Sequence, residues 1–350
     1  MIKKITLAAL LCGGALTATT AREAIELDGS SYYLPKTALK FTLITEKTTY
    51  TPGEFNQYAE RFFKKSATAE EQTTYRIVGI KFSTYGVPDT AKIFTVKIDG
   101  KHNITSVRKN ESGILWAIND NPTAAKPEAP FVPAPKPAKL NPNEYLTQDI
   151  LNAGSKAKMA ELTAEEIFDI RDSRSRLSKG QADNMPTDGQ QLKLMLNSLD
   201  NQENALSQLF FGTEEKDTFE TVINYIPTKP VNRDVLFRFS KHFGPVGKDD
   251  LSGSPYYISV IDEQQVPTLS VTIDKNENKN DAGVWVNLPG KITVKLYQDE
   301  KMLQSYEIYS AQFGRTEPIN GELFNKKSDT KMILNTVTGN LESIKSETRK

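Results

Sequence analysis

The sequence is poor in the residues that most often carry chemistry or cross-links. Among 350 residues it has one cysteine, two histidines and two tryptophans. A single cysteine excludes an intramolecular disulfide framework and a thiolate zinc cage. Two histidines leave little room for a His-rich metal site. An excess of either charge is lacking as well: 44 Lys and Arg balance 44 Asp and Glu, and the sequence pI is near 6.8. That balance argues against a nucleic-acid partner or an anionic membrane surface. The catalytic strings HExxH and GxSxG are missing too. What is there is ordinary for a folded protein, with 25% charged and 38% hydrophobic residues. The length suffices for about two domains.

One stretch is long and apolar, and it lies at the start. Residues 1–21 put Lys3 and Lys4 ahead of an apolar core from Ile5 to Leu16, followed by small residues from Thr17 to Ala21. This order is that of a secretory signal peptide, with cleavage expected after Ala21. The core is too short for a membrane span, which needs about 20 residues. Leu11 stands before Cys12 where a lipoprotein signal wants a small residue, so Cys12 is read as part of the signal. The mature chain then has no cysteine. With Lys3 and Lys4 gone, 42 basic residues face 44 acidic ones, a net charge of −2. No transmembrane helix is expected in the mature chain.

Residues 22–120 read as an N-terminal β-rich domain. Leu39, Phe41 and Leu43 alternate with polar neighbours, the period of a half-buried strand. Similar patterns recur at 73–82, 91–98, 104–109 and 113–118. One short helix interrupts them, with Thr51 as cap, Pro52 at its first position, Glu54 at its third, and Phe55, Tyr58, Ala59 and Phe62 on one face. Residues 121–144 read as a Pro-rich linker, because 121–142 hold seven of the 18 prolines; such a stretch is expected to be extended polyproline II.

Residues 145–212 predict a helical hairpin. Thr163–Glu166 fits a capping box or the middle of a longer helix, with Ile167, Ile170 and Leu177 near one face and Gly180 as a stop. Thr187–Gln190 resembles a second capping box, after which Leu192, Met195, Leu196, Leu199, Leu206, Leu209 and Phe210 recur at helical steps. Residues 213–350 form a C-terminal β-rich domain, with strand patterns at 217–226, 234–243, 255–261, 268–273, 283–288, 291–298, 302–313, 330–337 and 341–345. The hairpin VRKNESGILWAI at 107–118 echoes ILNTVTGNLESI at 333–344. The fold class expected is α+β, mainly β. Antiparallel, sandwich- or barrel-like terminal regions are joined by the Pro-rich linker and the αα-hairpin.

Several strings carry a wider likeness: Tyr33-Leu34-Pro35-Lys36, Thr49-Tyr50-Thr51-Pro52-Gly53 with Tyr58-Ala59, and AGSKAKMAELTAEEIFDIRDSR at 153–174. It continues through Asp183–Pro186 with Asp188-Gly189, LFFGT at 209–213 and FGPVG at 243–247. On these the chain resembles an uncharacterised family of exported proteins from Bacteroides-type bacteria, a domain of unknown function. The resemblance spans nearly the whole mature chain. It implies export from a Gram-negative cytoplasm to the periplasm or cell surface, and no catalytic residue.

Few motifs suggest chemistry. Asp274–Asp281 has the alternating oxygen donors of a calcium loop, but Lys279 and Trp285 stand where an EF-hand needs glycine and glutamate. The loop 241–250 joins His242 to Asp249 and Asp250, a set able to do acid–base work or bind a ligand. These three are the candidate binding residues. His102 sits in a turn without an obvious partner, and Arg171, Arg174, Arg176 and Lys179 crowd a helix end. No catalytic residue, metal ligand or cofactor is assigned. The leading expectation is an exported envelope protein that binds or scaffolds an envelope protein or glycan. The alternative is a secreted carboxylate-dependent hydrolase acting on glycan or peptide.

Overall fold

The structure, a computed structural model, describes residues 29–124, 126, 129–133, 135–186, 188–266 and 281–348. The signal segment 1–21 with Cys12 and Ala21, the strand pattern at 268–273 and residues 274–280 lie outside the described residues. The chain runs β1 (Ser30–Thr51), α1 (Ala59–Phe63), β2 (Gln72–Val96), β3 (Val107–Lys109) and β4 (Leu115–Ile118). The helices α2 (Gln148–Leu151), α3 (Lys156–Ser178) and α4 (Gly189–Phe211) follow. Then come β5 (Thr213–Tyr225), β6 (Val231–Ser240), β7 (Gly244–Val246), β8 (Ser254–Asp262), β9 (Asp281–Gln298), β10 (Lys301–Asn320), β11 (Ser328–Leu334) and β12 (Leu341–Thr348). Among the described residues three antiparallel sheets result, in the orders β2-β1-β5, β10-β9-β8-β6-β7 and β12-β11-β4-β3, and none closes into a barrel. The mainly β, α+β class expected from the sequence holds.

The alternation in β1 builds the larger core. Leu39, Phe41 and Leu43 point inward with Ile80 and Phe82 of β2 and Ile223 and Tyr225 of β5. Facing them are Phe237, Tyr256, Ile258, Val260, Ile292, Val294 and Leu296 of the five-stranded sheet. Rings interlock across the layers, Phe82 stacking on Tyr306 with centroids 4.1 Å apart. The same long strands then continue into a second core. There Tyr32 and Leu34 of β1, Val96 of β2 and Ala282, Val284 and Val286 of β9 meet Leu115, Ile118, Met332 and Leu334 of the four-stranded sheet. The Tyr32 hydroxyl accepts from Trp285 N at 2.6 Å, which satisfies the one polar atom of a buried ring.

Two of the three sheets join strands from both sides of the Pro-rich stretch. The cores therefore cut across the expected boundaries at 22–120 and 213–350. The echoing hairpins also come together, since β4 pairs with β11. Their turns share a design: Asn110 Oδ1 accepts from Ser112 N and Ile114 N, and Asn335 Oδ1 accepts from Val337 N and Thr338 N. Each turn closes with a left-handed glycine, Gly113 at φ 80° and Gly339 at φ 75°, a conformation that costs other residues energy.

Between the two cores lies a polar junction. The β1–β2 register shifts between Tyr33 and Pro35, so the local backbone needs other partners. Tyr33 N donates to Gly113 O at 3.0 Å. Pro35 has no N–H to place, and its carbonyl accepts from Asn287 Nδ2 at 3.2 Å. Thr37 N donates to Gln312 Oε1 at 2.8 Å, and Thr37 O accepts from Gln312 Nε2 at 2.9 Å. The Thr37 hydroxyl accepts from Ala311 N and donates to Val337 O, both at 3.1 Å.

A third core is helical. Ala160, Ala164, Ile167 and Ile170 of α3 pack with Leu206 and Phe210 of α4 and with Phe55 and Ala59. The long helices are bolted by Arg171–Glu203 and Arg174–Asp200, both at 2.7 Å. Of the two readings of Thr163–Glu166, the middle of a longer helix is the one found. Thr163 lies mid-helix and donates to Met159 O, while Ser155 caps α3 by accepting from Lys158 N. Asp188 caps α4, its carboxylate accepting from Gln190 N, and Thr187 lies outside the described residues. Thr51 ends β1 and caps nothing. Phe55 N donates instead to Leu209 O at 2.6 Å, and a Cβ on Gly53 would sit 2.4 Å from that carbonyl. Docking onto α4 thus replaces the capping box.

Thr37→Val keeps the side-chain shape but strands Ala311 N and Val337 O in a buried site. Urea denaturation is expected to show a loss of about 1–3 kcal/mol; unchanged stability would remove the junction's energetic role.

Candidate functional site

The 241–250 loop does not assemble the predicted set. His242, Asp249 and Asp250 are all exposed, and no hydrogen bond or ion pair joins the histidine to either carboxylate among the described residues. Asp250 instead closes its own turn, accepting from Ser252 N at 2.9 Å. That bond and the Ser252 hydroxyl, with Arg238 nearby, hold its carboxyl below the usual range. The apolar tip Phe243 is 69% exposed beside it. Such a loop can offer contacts to a partner, but its groups do not converge.

The other histidine does have a partner. His102 Nδ1 lies 2.8 Å from Asp99 Oδ1, which also accepts from Lys101 N and His102 N. Burial works to raise the Asp99 carboxyl, yet these hydrogen bonds outweigh it and hold it low. The turn is thereby locked, and Asn103 N continues the link by donating to Phe324 O at 2.6 Å. The arginine cluster is likewise spent on structure: Arg171 and Arg174 pair with α4, and Arg176 with Asp172. Among the described residues no group of three or more His, Cys, Asp or Glu is placed to hold a metal. No helix among them is long and apolar enough to cross a membrane.

The concave feature that does converge lies on the outer face of the three-stranded sheet. Register places Asn224, Lys40 and Ser83 in one row and Val222, Thr42 and Lys81 in the next. Strand alternation turns these side chains away from the core. Of these, Lys40, Ser83, Val222 and Asn224, together with Thr84 and Tyr85, border an open depression of about 600 Å³. Its lining mixes an ammonium, hydroxyls and an amide with Val222, which is 48% exposed. Lys81 reaches Glu220 across β1 at 3.0 Å. Sequence reasoning missed this surface because β5 lies far along the chain from β1, and only pairing brings Val222 and Asn224 to Lys40.

A family profile described as a domain of unknown function (DUF4831) matches residues 28–342. The chain belongs to the DUF4831 family. No curated protein and no solved structure matches it. The match takes in all three sheets and the helical layer up to the start of β12, so the outer face and the junction are both within the DUF4831 region.

Part of the Pro-rich stretch runs beside that outer face. The Phe131 ring lies 5.9 Å from Lys81 Nζ on β2. Farther along, Lys136 and Lys139 each lie 2.9 Å from the Glu215 carboxylate on β5, and Lys136 also pairs with Asp217. The two ammonium groups, Lys136 foremost, hold the Glu215 carboxyl at about 2, against 4.5 for an ordinary glutamate. A depressed carboxyl stabilises the folded arrangement above its unfolded value and loses that effect as pH falls through the folded value. The clamp is therefore expected to persist at neutral pH, weaken below about 4.5 and be gone below about 2. An NMR titration of the Glu215 side-chain carbon should show this low midpoint, returning toward 4.5 in a Lys136→Ala, Lys139→Ala double variant. A wild-type midpoint near 4.5 would mean that the clamp is not formed.

Proposed function

We propose that this is an exported envelope protein of a Gram-negative bacterium whose task is to bind or scaffold an envelope protein or glycan, without catalysis. One observation carries the binding reading: the outer face of β2-β1-β5 is open, concave and chemically mixed, and Phe131 of the Pro-rich segment lies beside Lys81 on it. Extended chains and glycans are recognised by such surfaces, through apolar contact plus a few directed hydrogen bonds. The signal-like order of residues 1–21 supports export. The neutral composition of the whole chain favours a partner recognised by shape and hydrogen bonding over one recognised by bulk charge.

Fractionation and cross-linking in the producing cells test both halves of this reading. A photo-cross-linking residue at Val222 is expected to trap an envelope protein or glycan in the envelope fraction, while one at Ile344 on the four-stranded sheet is not. Val222→Asp should weaken capture about tenfold, equivalent to about 1.4 kcal/mol. Cytoplasmic residence would overturn the export half, and equal adducts at both positions would overturn the binding surface.

A further inference from the structure

The polar junction holds one pair whose chemistry the fold has not yet used. Lys92 on β2 directs Nζ toward Oδ1 of Asn287 on β9, at 3.5 Å. Asn287 is 1% exposed, and its amide is fixed on both sides. Nδ2 donates to Pro35 O at 3.2 Å and Thr338 O at 3.0 Å, and Oδ1 accepts from Thr316 Oγ1 at 3.1 Å. Those bonds orient the carbonyl carbon, and the hydroxyl donor on Oδ1 polarises it. Asp89, 6% exposed, is the neighbouring carboxylate and pairs with Lys36 at 2.9 Å.

Burial pushes the Lys92 ammonium below the ordinary lysine range; the Asp89 charge opposes this and the Lys36 charge adds to it. A half-buried amine that sheds its proton more readily is a better nucleophile. One carbonyl bond length, about 1.2 Å, separates Oδ1 from Cγ, so Nζ lies farther from Cγ than from Oδ1 and must swing over the amide plane to attack. Held groups that reach such a near-attack geometry react with effective concentrations far above those of free reactants.

We propose that Lys92 and Asn287 join in an intramolecular isopeptide bond. The Nζ lone pair attacks Asn287 Cγ, and electrons of the carbonyl move onto Oδ1, where Thr316 donates. The Asp89 carboxylate takes a proton from the attacking nitrogen and delivers it to Nδ2. The Cγ–Nδ2 bond then breaks, the carbonyl re-forms, and ammonia leaves. The product is a secondary amide between Nζ and Cγ, and Asp89 is again a carboxylate. No oxidant, metal or cofactor enters the balance. The bond ties β2 of the three-stranded sheet to β9 of the five-stranded sheet beside the bend in β1. It gives a covalent cross-tie to a chain whose one cysteine lies at position 12, so that no disulfide can form within it.

Peptide mapping by mass spectrometry on the full chain purified from its producing cells decides the matter. The expected result is a branched peptide joining the Lys92 and Asn287 fragments, lighter than their sum by one ammonia. Lys92→Arg, which keeps the charge, should abolish the branch and yield both linear fragments. Recovery of the two linear fragments in full from the wild-type chain would overturn the proposal, and this reading does not depend on any variant folding. A branch that survives in Asp89→Ala would overturn the role given to that carboxylate.

Discussion

The architecture depends on how five residues of β1, Tyr33 to Thr37, pass from one apolar core to the other. A strand that serves two cores must bend, and bending breaks its ladder of hydrogen bonds. Each group so freed has a named recipient: Gly113 O for Tyr33 N, Asn287 for the Pro35 carbonyl, and the Gln312 amide for both backbone groups of Thr37. Left unpaired in a buried place, each of these groups would cost about 1–3 kcal/mol. The two echoing hairpins grip the bend from either side. Their left-handed glycines stand against it, a Cβ on Gly113 reaching 3.2 Å from the Tyr33 ring and one on Gly339 reaching 2.7 Å from Pro35.

Much of this was visible in the sequence, and the misreadings have physical causes. Alternation at Leu39, Phe41 and Leu43 identified a strand and its buried face. The same rule divided β2 at Gly86 and Pro88, and β9 at Pro289 and Gly290, because these residues usually punctuate strands. Here they mark where strands bend and backbones crowd. A Cβ on Gly86 would lie 1.9 Å from Thr336 O, and one on Gly290 would lie 2.0 Å from Phe313 O. Such close approaches are properties of distant pairings, which no local pattern contains.

The outer face of the three-stranded sheet follows the same logic. Alternation alone tells that Lys40 and Asn224 point away from the core, but the register between β1 and β5 is what makes them neighbours. The residues of the loop around His242 are close in sequence, yet among the described residues no hydrogen bond or ion pair joins the histidine to Asp249 or Asp250. Asp99 and His102 show the reverse, three residues apart in a turn and in direct contact. Thr51 reads as a helix cap because of Pro52 and Glu54 after it, yet docking of Phe55 onto α4 decides how that segment begins.

The shared strands have a consequence for what cleavage can do to this chain. A cut in the Pro-rich stretch would leave β1 to β4 on one piece and β5 to β12 on the other. Neither piece owns a complete core: the first would lose the partners of Leu39, Phe41 and Leu43, the second those of Met332 and Val284. The nicked halves would remain complementary, each acting as template for the other, in the manner of a split reporter rather than of two beads released from a string.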